Sequence, residues 1–320
     1  MIRADLAGKK YPLLRSAFCV GVLLVISCNR EATWRGHCDA AKQAYKQGRY
    51  AEAEAQLTGA LMEAEGFGSQ DSRLAATLNN LGEVYRVEGK YEKAEATVKR
   101  ALAIMEKAVG PDSADIAPCL NNLGAVYFDE RKLPEAEAMY KRALGIQEKA
   151  LRLDGPDLAT CLRNLGVLYV MQGNDSAAEP VLKRALAIRE KTLSPEDADV
   201  ATSLDDLGDV CLDQEKYTEA GQLYERALKI RQKTLGPWHP DVATSLSHLA
   251  WLCHTRGENF EAARLYKEAL AIQERALGPN HPDLARTMST YAIVLLWMNK
   301  NAEAKEMQAR AEAILKQQTR

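Results

Sequence analysis

The chain carries none of the common catalytic signatures: G-x-S-x-G, the P-loop, H-E-x-x-H and C-x-x-C are all missing. Those patterns gather a nucleophile, a phosphate cradle, zinc ligands or a redox dithiol at one place. Without them the sequence offers no enzyme site. Its five histidines, at 37, 239, 248, 254 and 281, are scattered over different elements. His239 and His281 stand in loops with no ligand-type neighbours, so neither a metal nor a cofactor is expected. A membrane-spanning run is missing too, because the apolar stretch Ser16 to Ser27 has 12 residues where a span needs about 18 or more. There is no basic excess either. The net charge is −2, of which residues 1–27 contribute +3, leaving −5 for the rest. A nucleic-acid footprint would need a basic stripe, so no nucleic-acid partner is expected.

What is present is repetition. With 47% apolar and 27% charged residues the chain is neither disordered nor collagen-like. Shifted by 42 residues it lands on itself: Leu81-Gly82, Leu123-Gly124, Leu165-Gly166 and Leu207-Gly208 fall in step, followed by Leu249-Ala250 and Tyr291-Ala292. A second row keeps the beat at Ala94, Ala136, Ala178, Ala220, Ala262 and Ala304, and a third at Ala101, Ala143, Ala185, Ala227, Ala269 and Ala311. Self-similarity at a fixed period marks a solenoid of stacked supersecondary units. Leu78, Leu81, Gly82 and Tyr85 form one helical stripe at i, i+3, i+4 and i+7. Gly82 is unfavourable inside a helix by roughly 1 kcal/mol against Ala. Its recurrence predicts a neighbouring backbone too close for a Cβ. Short turns such as Val87 to Lys90 join two helices into an antiparallel pair, with second helices beginning near Tyr50, Tyr91, Leu133, Asp175, Tyr217, Phe260 and Ala302. That makes seven pairs, the first degenerate, as terminal repeats are. Linkers such as Gly236-Pro237-Trp238-His239-Pro240-Asp241 combine a helix stop with a helix start.

The stripe Leu78-x2-Leu81-Gly82-x2-Tyr85, followed by Ala94-x3-Val98 and Ala101, resembles the tetratricopeptide repeat. The longer period and the Gly-Pro-x-His-Pro-Asp linkers are similar to the kinesin-light-chain type of that repeat. The resemblance covers about residues 39–317. It implies an all-α, α-α superhelix whose concave groove binds a protein or peptide partner. It does not imply kinesin itself, since the light-chain coiled coil is absent. In that family the first helices line the groove. By helical phase Asn79, Glu83 and Arg86 fall there, as do Asn121 and Phe128, Arg163 and Val170, and Asp205, Asp209 and Leu212. Ser247, Trp251 and His254 follow, then Ser289, Ile293 and Leu296. Trp297 comes from the last first helix, beside Trp251 and His254, and the three read equally as anchors for a partner or as core packing at the end of the stack. Chaperone-binding members use a clamp of Lys, Asn and Arg, and no Lys occurs in this set.

The N-terminus speaks to location. Arg3, Lys9, Lys10 and Arg15 precede the 12-residue apolar run, the pattern of a secretory signal. The run ends in Val25-Ile26-Ser27-Cys28, which resembles the bacterial lipobox. That resemblance implies a signal peptide at 1–27, acylation of Cys28, a short tether at 28–38 and a repeat solenoid at 39–320. The expected protein is then a non-enzymatic scaffold, lipid-anchored in the bacterial cell envelope. A cytoplasmic or secreted adaptor without lipid stays open, as does a regulatory subunit of an enzyme complex.

Cysteine usage bears on the choice. Cys119 and Cys161 are one period apart, as are Cys211 and Cys253. Equivalent positions on packed helices lie about 8–10 Å apart, whereas a disulfide wants Cα atoms at about 4.4–6.8 Å. All four therefore read as small buried hydrophobes, and Cys38 has no evident partner. Buried free thiols favour the cytoplasmic alternative. Asp205, Asp209 and Asp213, with Asp206 beside them, read as a solvated acidic face or a seat for a basic segment or divalent cation.

Overall fold

The computed structural model of the chain describes residues 13–150 and 155–318. All regular elements among them are helical. The first ten are α1 (Leu13–Lys46), α2 (Tyr50–Glu65), α3 (Ser72–Val87), α4 (Tyr91–Val109), α5 (Ala117–Asp129), α6 (Leu133–Lys149), α7 (Pro156–Met171), α8 (Asp175–Thr192), α9 (Ala198–Asp213) and α10 (Tyr217–Leu235). They are followed by α11 (Pro240–Thr255), α12 (Asn259–Leu277), α13 (Pro282–Trp297) and α14 (Asn301–Gln318). One 3-10 turn, Ala114–Ile116, leads into α5. The helices form two compact bodies, Met1–Met139 and Tyr140–Arg320. Within the bodies α1 packs on α2, α3 on α4, α7 on α8, α9 on α10, α11 on α12 and α13 on α14, and first helices also meet one another, as α3 does α5 and α9 does α7 and α11.

The within-pair turns share one backbone device. The residue that reverses the chain has positive φ in all seven: Gly48, Gly89, Gly173 and Gly257, but also Arg131 (62°), Glu215 (60°) and Asn299 (59°). Glycine adopts this conformation without steric cost. The three other residues are held there by bonds from the next amide back into the first helix, as from Lys216 N to Cys211 O at 2.8 Å. The second helices begin at the expected residues through Tyr217, and one residue early at Asn259 and Asn301.

Between pairs, side chains cap the helices. Asp71 accepts from Arg73 N and Asp197 from Asp199 N, both at 2.8 Å. His239 and His281 do the same through Nδ1, accepting from Asp241 N and Asp283 N at 3.2 Å, with Pro240 and Pro282 at the first helical position. The two loop histidines are therefore N-caps, satisfying amides that the helix itself leaves open.

The alanine rows are the tightest contacts. Ala94, Ala178, Ala220 and Ala262 are wholly buried, as are Ala101, Ala143, Ala185, Ala227 and Ala269. The recurring glycine works differently from expectation. A Cβ at Gly166 would lie 2.5 Å from Leu182 Cγ, one at Gly208 would lie 2.5 Å from Tyr224 Cε1, and one at Gly82 would strike Val98 Cγ2. The occupant is a large side chain of the paired second helix, not a neighbouring backbone. Glycine makes room for Val98, Leu182 and Tyr224 to cross the pair.

Of the expected signal segment, residues 1–12 lie outside the described residues, and for residues 13–28, Cys28 included, only the helical backbone of α1 is described. Residues 29–38, expected as a tether, are part of α1. Trp34 Nε1 donates to Thr77 Oγ1 at 2.9 Å and Arg30 Nη1 to Gly66 O at 2.8 Å. No described helix is long and apolar enough to cross a membrane.

Candidate protein-interaction surface

In the first body, α1, α3 and α5 line a cavity of about 590 Å³. Lys42 and Tyr45 enter it from α1, Asn80 and Glu83 from α3, and Asn122 from α5. Its charges are largely committed. Tyr45 donates to Glu83 Oε1 at 2.9 Å, and Arg86 donates to both Glu83 oxygens (2.7 and 2.9 Å) and to Asp129 Oδ2 at 2.5 Å. Burial, then the Glu83 charge, pushes the Tyr45 hydroxyl well above its ordinary pKa; the hydrogen bond to Glu83 does most to raise that of Arg86. Asn80 is exposed, as is Lys42, so these two side chains are free to meet a ligand.

Two expected groove residues are misplaced by one helical position. Asn79 and Asn121 are buried, and the cavity is lined instead by Asn80 and Asn122. The cause is the packing of α3 on α5, which covers the Asn79 side of α3; Asn122 Nδ2 reaches Asn79 O at 3.5 Å. Phe128 is half-buried on α5. Lys42 lay outside the expected set because the first repeat is too degenerate to phase by eye.

In the second body the acidic cluster is neither a solvated face nor an open receptor. Asp205 is buried, ion-paired with Arg231 from α10 and 3.5 Å from His248 Nδ1 on α11. Arg231 also donates to Ser245 Oγ at 2.6 Å. Asp206 binds Arg163 at 2.5 and 3.0 Å, and Asp209 accepts from Tyr224 Oη at 2.6 Å. Only Asp213 is exposed. Burial raises the pKa of both Asp206 and Asp209. At His248 burial alone would lower the pKa, but the hydrogen bond and charge of Asp205, with the charge of Asp209, outweigh it and raise it. Asp205 and Arg163 therefore leave the set of groove ligands and become internal ties.

The tryptophans of α11 and α13 lie at the surface. Trp251, Ile293, Leu296 and Trp297 are 37%, 42%, 52% and 70% exposed. His254 lies between the two indoles, its ring 5.1 Å from Trp251 and 5.9 Å from Trp297, and its Nδ1 is 2.6 Å from Asn259 Oδ1. Trp251 is thus a surface residue and not part of the core at the end of the stack. Among the described cysteines Cys119, Cys161 and Cys211 are buried, while Cys38 and Cys253 are half-buried; all five are free thiols. Burial raises Cys119 to about 12 and Cys211 and Cys253 to about 11, so none is a ready thiolate. No cluster of three or more metal-ligating side chains occurs among the described residues.

Helix pairs of this length, with small residues at their crossings and the open surface on the first helices, define a helical-repeat interaction protein. The tetratricopeptide repeat profile matches residues 37–107, 73–149, 115–191, 199–275 and 256–317. The chain belongs to the tetratricopeptide repeat family. A kinesin light chain of Podosopora anserina with nearly identical repeats is 26% identical, with a TM-score of 0.54, over 64% of this chain and 96% of that one. BtubC from P. vanneervenii is 28% identical, with a TM-score of 0.51, over 61% of this chain and 78% of that one. A Rap protein solved with Competence and Sporulation Factor shares the fold at 16% identity and a TM-score of 0.69, over 90% of this chain and 76% of that one. No curated protein matches in sequence. The repeats support a protein-interaction scaffold.

Proposed function

We propose that the chain is a non-enzymatic scaffold that gathers protein or peptide partners on its first-helix faces and is held at a bacterial membrane by lipid on Cys28. The observation that carries the binding half is the Trp251–His254–Trp297 surface. Two indoles left in water on adjacent helices cost solvation that a monomer would avoid, and Trp dominates binding hot spots. Asn80, Lys42 and Phe128 give the first body a second, more polar face. The complex of a fold neighbour with Competence and Sporulation Factor fits a peptide-sized ligand. The anchoring half rests on the Val25-Ile26-Ser27-Cys28 sequence after a basic and apolar leader. Several acyl chains give stable attachment where a single chain gives a marginal one.

Mass spectrometry of native material tests the anchor: Cys28 should carry diacyl or triacyl modification, and Cys28→Ala should move the protein out of the membrane fraction. An unmodified N-terminus at Met1 would remove the anchor and leave the scaffold standing. The five free thiols favour that second reading, a cytoplasmic adaptor, because an oxidising compartment works against unpaired cysteines.

A further inference from the structure

Four of the eight exposed large apolar side chains described in the second body lie on two neighbouring first helices. Trp251 on α11 and Ile293, Leu296 and Trp297 on α13 form one surface, bridged by His254. Of the other exposed aromatics, Trp238 stacks against the Arg275 guanidinium, 4.2 Å from its ring, and Phe260 is the second residue of α12. The surface is bordered by α9, whose residues Asp209 and Asp213 hold the positions that Trp251 and Thr255 hold one period later. Asp213 is exposed, and no cation among the described residues pairs with it.

Charge on these helices is one-sided. α7, α9, α11 and α13 contain no lysine; their only cations besides histidine are Arg163, tied to Asp206, and Arg286, in the first turn of α13 beside Asp283. An acidic peptide or an anionic lipid surface would meet the exposed carboxylate of Asp213 with no lysine on these helices to answer it. A segment bearing Lys or Arg next to an apolar side chain meets the opposite arrangement.

Building on the scaffold reading above, we infer that the α9–α11–α13 face takes a cationic, apolar segment of a partner protein. Its aromatic or aliphatic side chains sit on Trp251, Ile293, Leu296 and Trp297, and its Lys or Arg faces Asp213. The indoles supply a rigid contact area with little rotamer freedom to lose. The carboxylates choose the sign of the partner and speed its approach more than they add affinity.

A phage-displayed library of random 12-residue peptides, selected on the full chain, tests this. Selected peptides should combine Lys or Arg with Trp, Phe, Leu or Ile. The Trp251→Ala/Trp297→Ala double variant should bind them about 30-fold more weakly with a nearly unchanged melting temperature. Trp297→Ala alone, the more exposed of the two, serves if the double variant loses structure. Asp213→Asn should weaken binding about threefold in low salt and less as salt rises. Acidic peptides would overturn the partner assignment. Cationic peptides insensitive to both indoles but lost on Asn80→Ala would overturn the site and leave the scaffold reading intact. Self-association abolished by Trp297→Ala would make the occupant a second copy. Failure to enrich any peptide would count against both readings.

Discussion

Removing Asp205 should be among the most damaging single changes in the second body. Its carboxylate and the Arg231 guanidinium are each only 6% exposed, so the pair is sealed where α9, α10 and α11 meet. Arg231 keeps one other described partner, Ser245 Oγ at 2.6 Å, a neutral oxygen that cannot balance its charge. Asp205→Ala therefore strands a buried cation, at a cost of about 3–5 kcal/mol. Asp205→Leu combined with Arg231→Met removes both charges and fills similar volume, and should return stability to near or above the starting value. The assay is urea unfolding of the full chain followed by circular dichroism, read as midpoint and slope because repeat arrays need not unfold as one unit. If Asp205→Ala costs under 1 kcal/mol, or the double variant is worse than the single, the pair is not the tie described here.

Four further outcomes follow from the geometry. His248 has a raised pKa, so its stabilising contribution is full below its unfolded value of about 6.5 and is lost as pH rises through the folded one. Burial of Asp206 and Asp209 acts in the same direction, and His248→Gln should flatten the decline in melting temperature on the alkaline side. Glu179 works oppositely: Lys183 and Lys216 hold it down at about 2, so stability is lost as pH falls from its ordinary 4.5 toward that value, and Glu179→Gln should blunt the loss. Glu215→Gly, relieving a left-handed residue at φ 60°, should stabilise by about 0.5–1 kcal/mol in the same urea assay, while Gly208→Ala, driving a methyl into the Tyr224 ring, should cost about 1–3 kcal/mol.

The fold was legible because its signals are local and periodic. Turn residues and the alanine rows act within one pair and the Gly-Pro and His-Pro linkers at one junction between pairs, and the turn residues placed five second-helix starts to the residue. The candidate surface was legible only where the stripe is simple, as at Trp251 and Trp297. Adjacent asparagines defeated the phase: the sequence pairs Asn79 with Asn80 and Asn121 with Asn122, and only the packing of α3 on α5 decides which of each pair is covered. The acidic cluster failed for a different reason. The cations that absorb it, Arg163 and Arg231, sit 43 residues before Asp206 and 26 after Asp205, and a reading confined to one helix face cannot see them. Row arithmetic holds a clue: the row occupied by Gln147 and Gln273 has Arg189 and Arg231 in its middle members, all four buried. Buried arginines at successive positions call for acceptors: Ser203 and Ser245 supply them from the next first helix, and Asp205 from the first helix of Arg231's own pair.

Photo-crosslinking in native cells tests the central claim most directly. A benzophenone amino acid placed at Ile293, Leu296 or Asn80, all exposed on first helices, should yield discrete crosslinked partner bands. The same probe at Glu225 or Lys229, exposed on the second helix α10, should yield none. Bands arising only from α10, or from none of the five positions, would contradict a scaffold that works through its first helices.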